Sequence, residues 1–269
     1  MIRTIKFRTK TSATKKLCTQ SYVNVNDEIK DKVYRRLLVG LGNPGKYTNT
    51  RHNIGQSIIE YYNTIHMLKS SSSSKRKTTA HSELYMHTRT FNVQNTLDLV
   101  DTHSSRRAAR TVLEGVPCPS VKVTCLIPTT YMNKSGCAVR NFIGQEKWGV
   151  GRRGKHPLDQ ILIISDDVNL PFGHIRIKPK GGAGGQNGVS DIIKSLGTEK
   201  VPRMRIGIGS PNNGASLSNH VLGKFTTLEQ KQLQSYLLHY ASQLLDVYLH
   251  RGLEAASALT NQKINDDDI

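Results

Sequence analysis

Residues 34–55 read YRRLLVGLGNPGKYTNTRHNIG, and the change of character inside this stretch decides the fold class. Tyr34–Val39 is a strand-like run that carries Leu37, Leu38 and Val39, and it empties into a loop crowded with Asn, Gly, Pro and a single His. Gly40, Gly42 and Gly45 free the backbone there while Pro44 fixes it. Open α/β sheets place their ligands outside the carboxyl ends of their strands, so Asn43, Tyr47, Arg51 and His52 are candidate site residues.

Working outward, apolar runs bounded by turn residues recur at 121–127, 161–164, 174–178 and 203–208, with helix-period stretches between several of them. The alternation predicts an α/β fold, a single domain with a mixed, largely parallel sheet flanked by helices. Helices are expected at 53–67, 135–145, 187–196 and 228–251, the last opened by a capping box of Thr226 or Thr227 with Glu229 or Gln230. Two stretches read as insertions with loop structure, near 69–80 and near 146–159. The first contains the low-complexity run from Ser70 to Lys77, the second Arg152, Arg153, Lys155 and His156. The domain is expected over 27–262, followed by a disordered acidic tail at 263–269.

The opening loop also satisfies G-x-G-x-x-G and most of G-x-x-x-x-G-K-[ST]. A phosphate cradle needs consecutive backbone N–H donors, and Pro44 has none. Tyr47 stands where a magnesium-binding hydroxyl belongs, and no acid about 20 residues on ends a second strand, since Glu60 falls inside an apolar, helix-like run. Neither nucleotide reading holds.

The 269 residues carry a formal net charge of +18. Residues 1–26 contain six Lys or Arg, seven Ser or Thr and no acid, the composition of an organelle transit segment, with a basic arm that touches RNA as the other reading. The rest still carries 32 Lys and Arg against 20 Asp and Glu, a surplus that suits a polyanionic partner. No apolar run approaches the length of a membrane span. The four cysteines show no C-x-x-C spacing, the ten histidines do not pair on one helical face, and G-x-S-x-G is absent, so no metal site, disulfide framework or serine-hydrolase elbow is indicated.

Five blocks in order carry a resemblance: Gly42-Asn-Pro-Gly45 with Tyr47 and Thr50-Arg-His-Asn-Ile-Gly55; Ile127-Pro-Thr-Thr-Tyr-Met-Asn133-Lys-Ser-Gly136; Ser165-Asp-Asp-Val-Asn-Leu-Pro-Phe-Gly173; Lys180-Gly-Gly-Ala-Gly-Gly-Gln-Asn187-Gly188; and Arg203-Met-Arg-Ile-Gly-Ile-Gly209. Over about residues 36–260 the chain resembles the peptidyl-tRNA hydrolases of bacterial and organellar type. The resemblance implies hydrolysis of the ester between a peptide, or an N-blocked amino acid, and the terminal ribose of tRNA, without a cofactor. His52 would activate water and Asp166 would fix its tautomer, a triad-like pair with water in place of serine. Asn43 would serve catalysis by recognising the blocked amino group, with Asn133 and Asn187 as further substrate-binding amides. Tyr47 would wall the cleft, and Lys178 and Arg205 would grip a tRNA phosphate. Read from the residues alone, His52 also suits a capping or surface role, Asn43 and Asn187 turns, and Asn133 a helix cap.

The chain departs from the pattern in four places. One residue instead of two separates Gly45 from Tyr47, Gln186 stands where a His is common, and Ser165 and Asn169 differ from the frequent His and Asp. The expected partner is peptidyl-tRNA, with association with the ribosome as an open alternative, the expected state a monomer without membrane contact, and the expected location the mitochondrial matrix, with the cytoplasm as the alternative. The rival reading is a non-catalytic RNA-binding protein on the same fold, a splicing or ribosome-associated factor, which would have no need of an acid-base pair.

Overall fold

The run Ile161–Asp167 is an inner strand of the sheet with every residue buried, as expected of a strand covered on both faces. The computed structural model describes residues 34–67, 75–90, 120–146, 158–211 and 216–260. Residues 35–88 and 122–262 form one unit, and the elements below belong to it except for strand-end residues 34, 89–90 and 120–121. The expectations for 1–26, 69–74, 147–157 and 263–269 lie outside the described residues.

Among the described residues seven strands make one sheet in the order β2-β3-β4-β1-β5-β7-β6. They are β1 (Tyr34–Gly40), β2 (Lys75–Thr78), β3 (Ser82–Thr90), β4 (Ser120–Pro128), β5 (Ile161–Asp167), β6 (Ile175–Lys178) and β7 (Arg203–Gly207). β5 runs parallel to β1, Leu37 opposite Ile161, and parallel to β7, Ile163 opposite Arg203. β6 closes one edge antiparallel to β7, and β2 pairs antiparallel with β3. The expected mixed, largely parallel sheet is present. β2 and β3 are additions: from Lys75 onward the expected loop is an edge strand, whose four residues are all exposed and therefore lack the apolar alternation by which strands are read.

Four of the helices are α1 (Ile54–Met67), α2 (Ser135–Gln145), α3 (Asn187–Leu196) and α4 (Leu217–Val221). The single helix expected at 228–251 is α5 (Thr227–Gln232), a π-turn at Leu233–Leu237, and α6 (Leu238–Thr260), bent at Gly252 where φ is 83°. Its capping box uses Thr226 and Glu229. Helices α2 and α3 pack together, and their Val139, Phe142, Val189 and Ile192 join Leu37, Val39, Ile161 and Ile163 in one core. The alternate residues Leu38, Leu162 and Ile164 are also fully buried, on the other face by the period of two, and α1 packs against β5 and α6.

Gly40 and Gly55 let β1, α1 and β5 approach closely. A Cβ on Gly40 would sit 2.6 Å from the Gly55 carbonyl oxygen, and one on Gly55 would collide with the carbonyl of Ile164. This contact brings the turn before α1, and His52 with it, onto the end of β5. The strand order switches sides here: from β1 the chain proceeds to β2, β3 and β4 on one side, and β5 opens the other side. The crevice between β1 and β5 is thus a topological switch point, where α/β sheets bind ligands.

Candidate active site

Loops leaving β1, β4, β5 and β6, together with α4, surround a cleft of about 1240 Å³. Its lining includes eight of the nine candidate residues, Asn43, Tyr47, His52, Asn133, Asp166, Lys178, Asn187 and Arg205, and leaves out Arg51. His52 sits in a 3-10 turn, Arg51–Asn53, directly ahead of α1, and is only 8% exposed. Its Nδ1 lies 2.7 Å from Oδ2 of Asp166, which is itself 4% exposed. An ionised carboxylate accepts only, so Nδ1 carries the hydrogen and Nε2 is the nitrogen left to take a proton. The surface or capping role for His52 does not apply.

The other oxygen of Asp166 is held as well. Gln186 donates from Nε2 to Asp166 Oδ1 at 3.1 Å, while its Oε1 accepts from the Val189 N–H at 2.7 Å and caps α3. The Val189 donor settles which way the amide faces. Where the resemblance led to a histidine, this chain has a group that orients the carboxylate and does not titrate.

Asn43 is fixed by a second amide network. Its N–H donates to Asn53 Oδ1 at 3.0 Å, Asn53 Nδ2 returns a bond to the Asn43 carbonyl at 2.8 Å, and Asn43 Oδ1 accepts from the Met132 N–H at 2.7 Å. With its oxygen engaged, Asn43 presents the Nδ2 donor. Asn133 and Asn187 are exposed at the cleft. The expected cap by Asn133 is not made: it lies in the turn Met132–Lys134, Lys134 holds the N-cap position of α2 without a side-chain bond, and Asn187 likewise follows the cap instead of forming it.

Lys178 is exposed on β6, opposite Arg203 in the register, whereas Arg205 is opposite Arg176 and pairs with Asp167, whose Oδ1 accepts from the Asn169 N–H at 2.9 Å. Arg203 lines the same cleft and is buried, with no hydrogen-bond partner for Nη1 among the described residues. Burial holds its pKa below the ordinary value and the charge of Arg205 pushes the same way, against Glu199. Among the described residues no group of three His, Cys, Asp or Glu is placed to hold a metal ion, and no helix is long and apolar enough to cross a membrane.

The family model for peptidyl-tRNA hydrolase matches residues 37–267. The chain belongs to the peptidyl-tRNA hydrolase family. It is 36% identical over 230 residues to the peptidyl-tRNA hydrolase of Chlorobaculum tepidum, covering 85% of this chain and 99% of that one. With the peptidyl-tRNA hydrolase of Clostridium perfringens it shares 30% over 229 residues, 85% of this chain and 98% of the other. The crystal structure of peptidyl-tRNA hydrolase from Acinetobacter baumannii superposes with a TM-score of 0.61 at 28% identity, over 87% of this chain and 98% of that one.

Family membership does not single out the residues that hold others in place. Asn53 was legible only as a letter of the Thr50-Arg-His-Asn block, yet its side chain ties Asn43, Thr50 and Gln56 together. Tyr131, 58% exposed at the cleft, and Arg203 were likewise legible only as letters of their blocks, because an aromatic in a loop and a basic residue in a strand are ordinary features.

Proposed function

We propose that this chain hydrolyses the ester joining a peptide or N-blocked amino acid to tRNA, with His52 as the general base. The observation that carries the reading is the buried 2.7 Å bond between His52 and Asp166 in the wall of a cleft lined by amides and cations. Water attacks the ester carbonyl while His52 Nε2 takes its proton. The carbonyl oxygen becomes an oxyanion, and the Nδ2 donor of Asn43 suits that charge better than it suits a substrate N–H. Collapse breaks the bond to the ribose oxygen, which receives the proton from the imidazolium that Asp166 has stabilised. Asn133 and Asn187 offer amides to the peptide main chain, and Tyr47 walls the ester. Lys178 and Arg205 meet tRNA phosphate, Arg205 sharing its guanidinium with Asp167.

The test is release of amino acid from N-acetylated aminoacyl-tRNA and from its unblocked counterpart, by residues 27–269 and by His52→Ala. Cleavage confined to the blocked substrate and lost in the variant is expected. Tight, salt-sensitive tRNA binding without cleavage would replace the reading by the RNA-binding one. Within the same reading the chain acts as a monomer in the mitochondrial matrix. A dimer mass by light scattering, or cytosolic retention of a fluorescent protein fused behind residues 1–26, would overturn the respective part.

A further inference from the structure

We propose that Arg51, the neighbour of the base, is a positioning residue that locks the His52 turn to the segment building one wall of the cleft; the inference rests on the hydrolase reading above. Arg51 is 8% exposed and does not itself line the cleft. Its backbone N–H donates to the Gly223 carbonyl at 3.0 Å, beside an isolated antiparallel bridge between Thr50 and Lys224. Its side chain then uses both ends of the guanidinium fork. Nη1 donates to the Lys224 carbonyl at 2.8 Å and Nη2 to Glu229 Oε2 at 2.7 Å. The face of the fork lies 5.7 Å from the centre of the Phe225 ring, and Phe225 meets Phe172 edge-on at 5.9 Å. Phe172 follows β5, the strand that carries Asp166.

One side chain thereby gathers the chain after β1, after β5 and after α4. What it holds matters because α4 cannot hold itself. Leu217–Val221 is a helix of five residues with none buried, too short to be stable alone. Its Leu217, Ser218 and Val221, with Leu222, nevertheless form cleft wall. Its tethers are the Ser216 cap, the His220 Nε2 contacts with the carbonyls of Ile208 and Gly209 at 3.2 and 2.9 Å, and the Arg51 lock on the residues that follow. Glu229 is shared: the oxygen that takes the Arg51 bond also accepts from the Thr226 N–H at 2.7 Å, while Thr226 Oγ1 accepts from Glu229 N–H at 3.2 Å. Wall, base and carboxylate therefore move as one body, and the distance from the wall to His52 is set by a planar fork that a lysine does not reproduce.

The experiment measures kcat, KM and melting temperature on N-acetylated aminoacyl-tRNA for the wild-type chain, Arg51→Ala, Arg51→Lys, Glu229→Ala and Thr226→Ala. Arg51→Ala is expected to lower kcat about ten- to hundred-fold, the scale of a small misplacement of reacting groups, and to raise KM as well. Glu229→Ala raises KM more than it lowers kcat, because Lys224 and the Thr50 bridge still hold the His52 turn. Arg51→Lys falls between Arg51→Ala and wild type. Thr226→Ala weakens the α5 cap but leaves the lock, so it lowers the melting temperature while kcat and KM stay at wild-type values. Should Arg51→Ala not fold, Arg51→Lys and Glu229→Ala decide the matter. Arg51 and Glu229 variants whose kinetics match Thr226→Ala overturn the lock alone. Absence of cleavage by the wild-type chain overturns the hydrolase reading, and the lock with it.

Discussion

Replacing Gln186 by Glu tests whether the amide works as a non-titrating support for Asp166. The cap on Val189 survives, since a carboxylate oxygen accepts that N–H as well as Gln186 Oε1 does at 2.7 Å. On the other side the donor that lies 3.1 Å from Asp166 Oδ1 becomes a second carboxyl. Each carboxylate spreads its charge over two oxygens, so the charge centres lie farther apart than the contact, at about 4 Å, and repel by roughly 4 kcal/mol at an effective dielectric of about 20, equivalent to roughly 3 pKa units. A carboxyl of ordinary pKa about 4.3 would then keep its proton to about pH 7. Lys178, Lys180, Arg203 and Arg205 line the same cleft and oppose the repulsion, so this shift is an upper limit. While protonated, the introduced group donates to Asp166 as the amide did. Once ionised, it drives Asp166 out of line with His52. The ratio of kcat/KM, variant to wild type, should stay near one at about pH 6 and fall about ten- to hundred-fold by about pH 8.5. The introduced group's folded pKa is raised above its unfolded one. The variant therefore matches the wild-type melting temperature below about pH 4 and loses stability as pH rises to about 7. The assay is amino-acid release from N-acetylated aminoacyl-tRNA across this range, corrected for spontaneous ester loss. An activity ratio that does not change with pH would refute the support role and leave Gln186 as a helix cap only.

Asn43→Asp keeps an acceptor for the Met132 N–H but removes the donor aimed at the substrate; kcat should drop about 10²–10³-fold with an unchanged melting temperature. Gly40→Ala presses a methyl group to within 2.6 Å of the Gly55 carbonyl, and urea unfolding should show a loss of about 1–3 kcal/mol. Burial raises the Glu229 carboxyl pKa, but the bonds from Thr226 and Arg51 outweigh it and hold the group below its ordinary value. Its contribution to stability is thus present above about pH 4.3 and lost as pH falls through the lower folded pKa. The gap in melting temperature between the wild-type chain and Glu229→Gln should close in acid, and a gap that widens there would contradict the assignment.

The parallel strands β1, β5 and β7 were legible in the order of residues, because their apolar runs can be recognised in isolation, and so were helices α1 to α3, because their period and boundaries are local. The sequence also brought forward His52, Asp166 and the three asparagines as letters of motifs. It did not disclose β2, an edge strand of exposed residues without alternation, nor the π-turn that divides the last helix. The resemblance already paired His52 with Asp166; for the other side chains it took the folded chain to fix which group each one serves. Asn43 meets Met132 across 89 positions, His52 meets Asp166 across 114, and Arg51 meets Glu229 across 178. Hydrogen-bond partners so distant in the chain leave no local pattern. Their pairing is fixed by the packing of β1 against β5 and by the close glycine contact beneath the His52 turn, which bring together groups whose chemistry depends on a few tenths of an ångström.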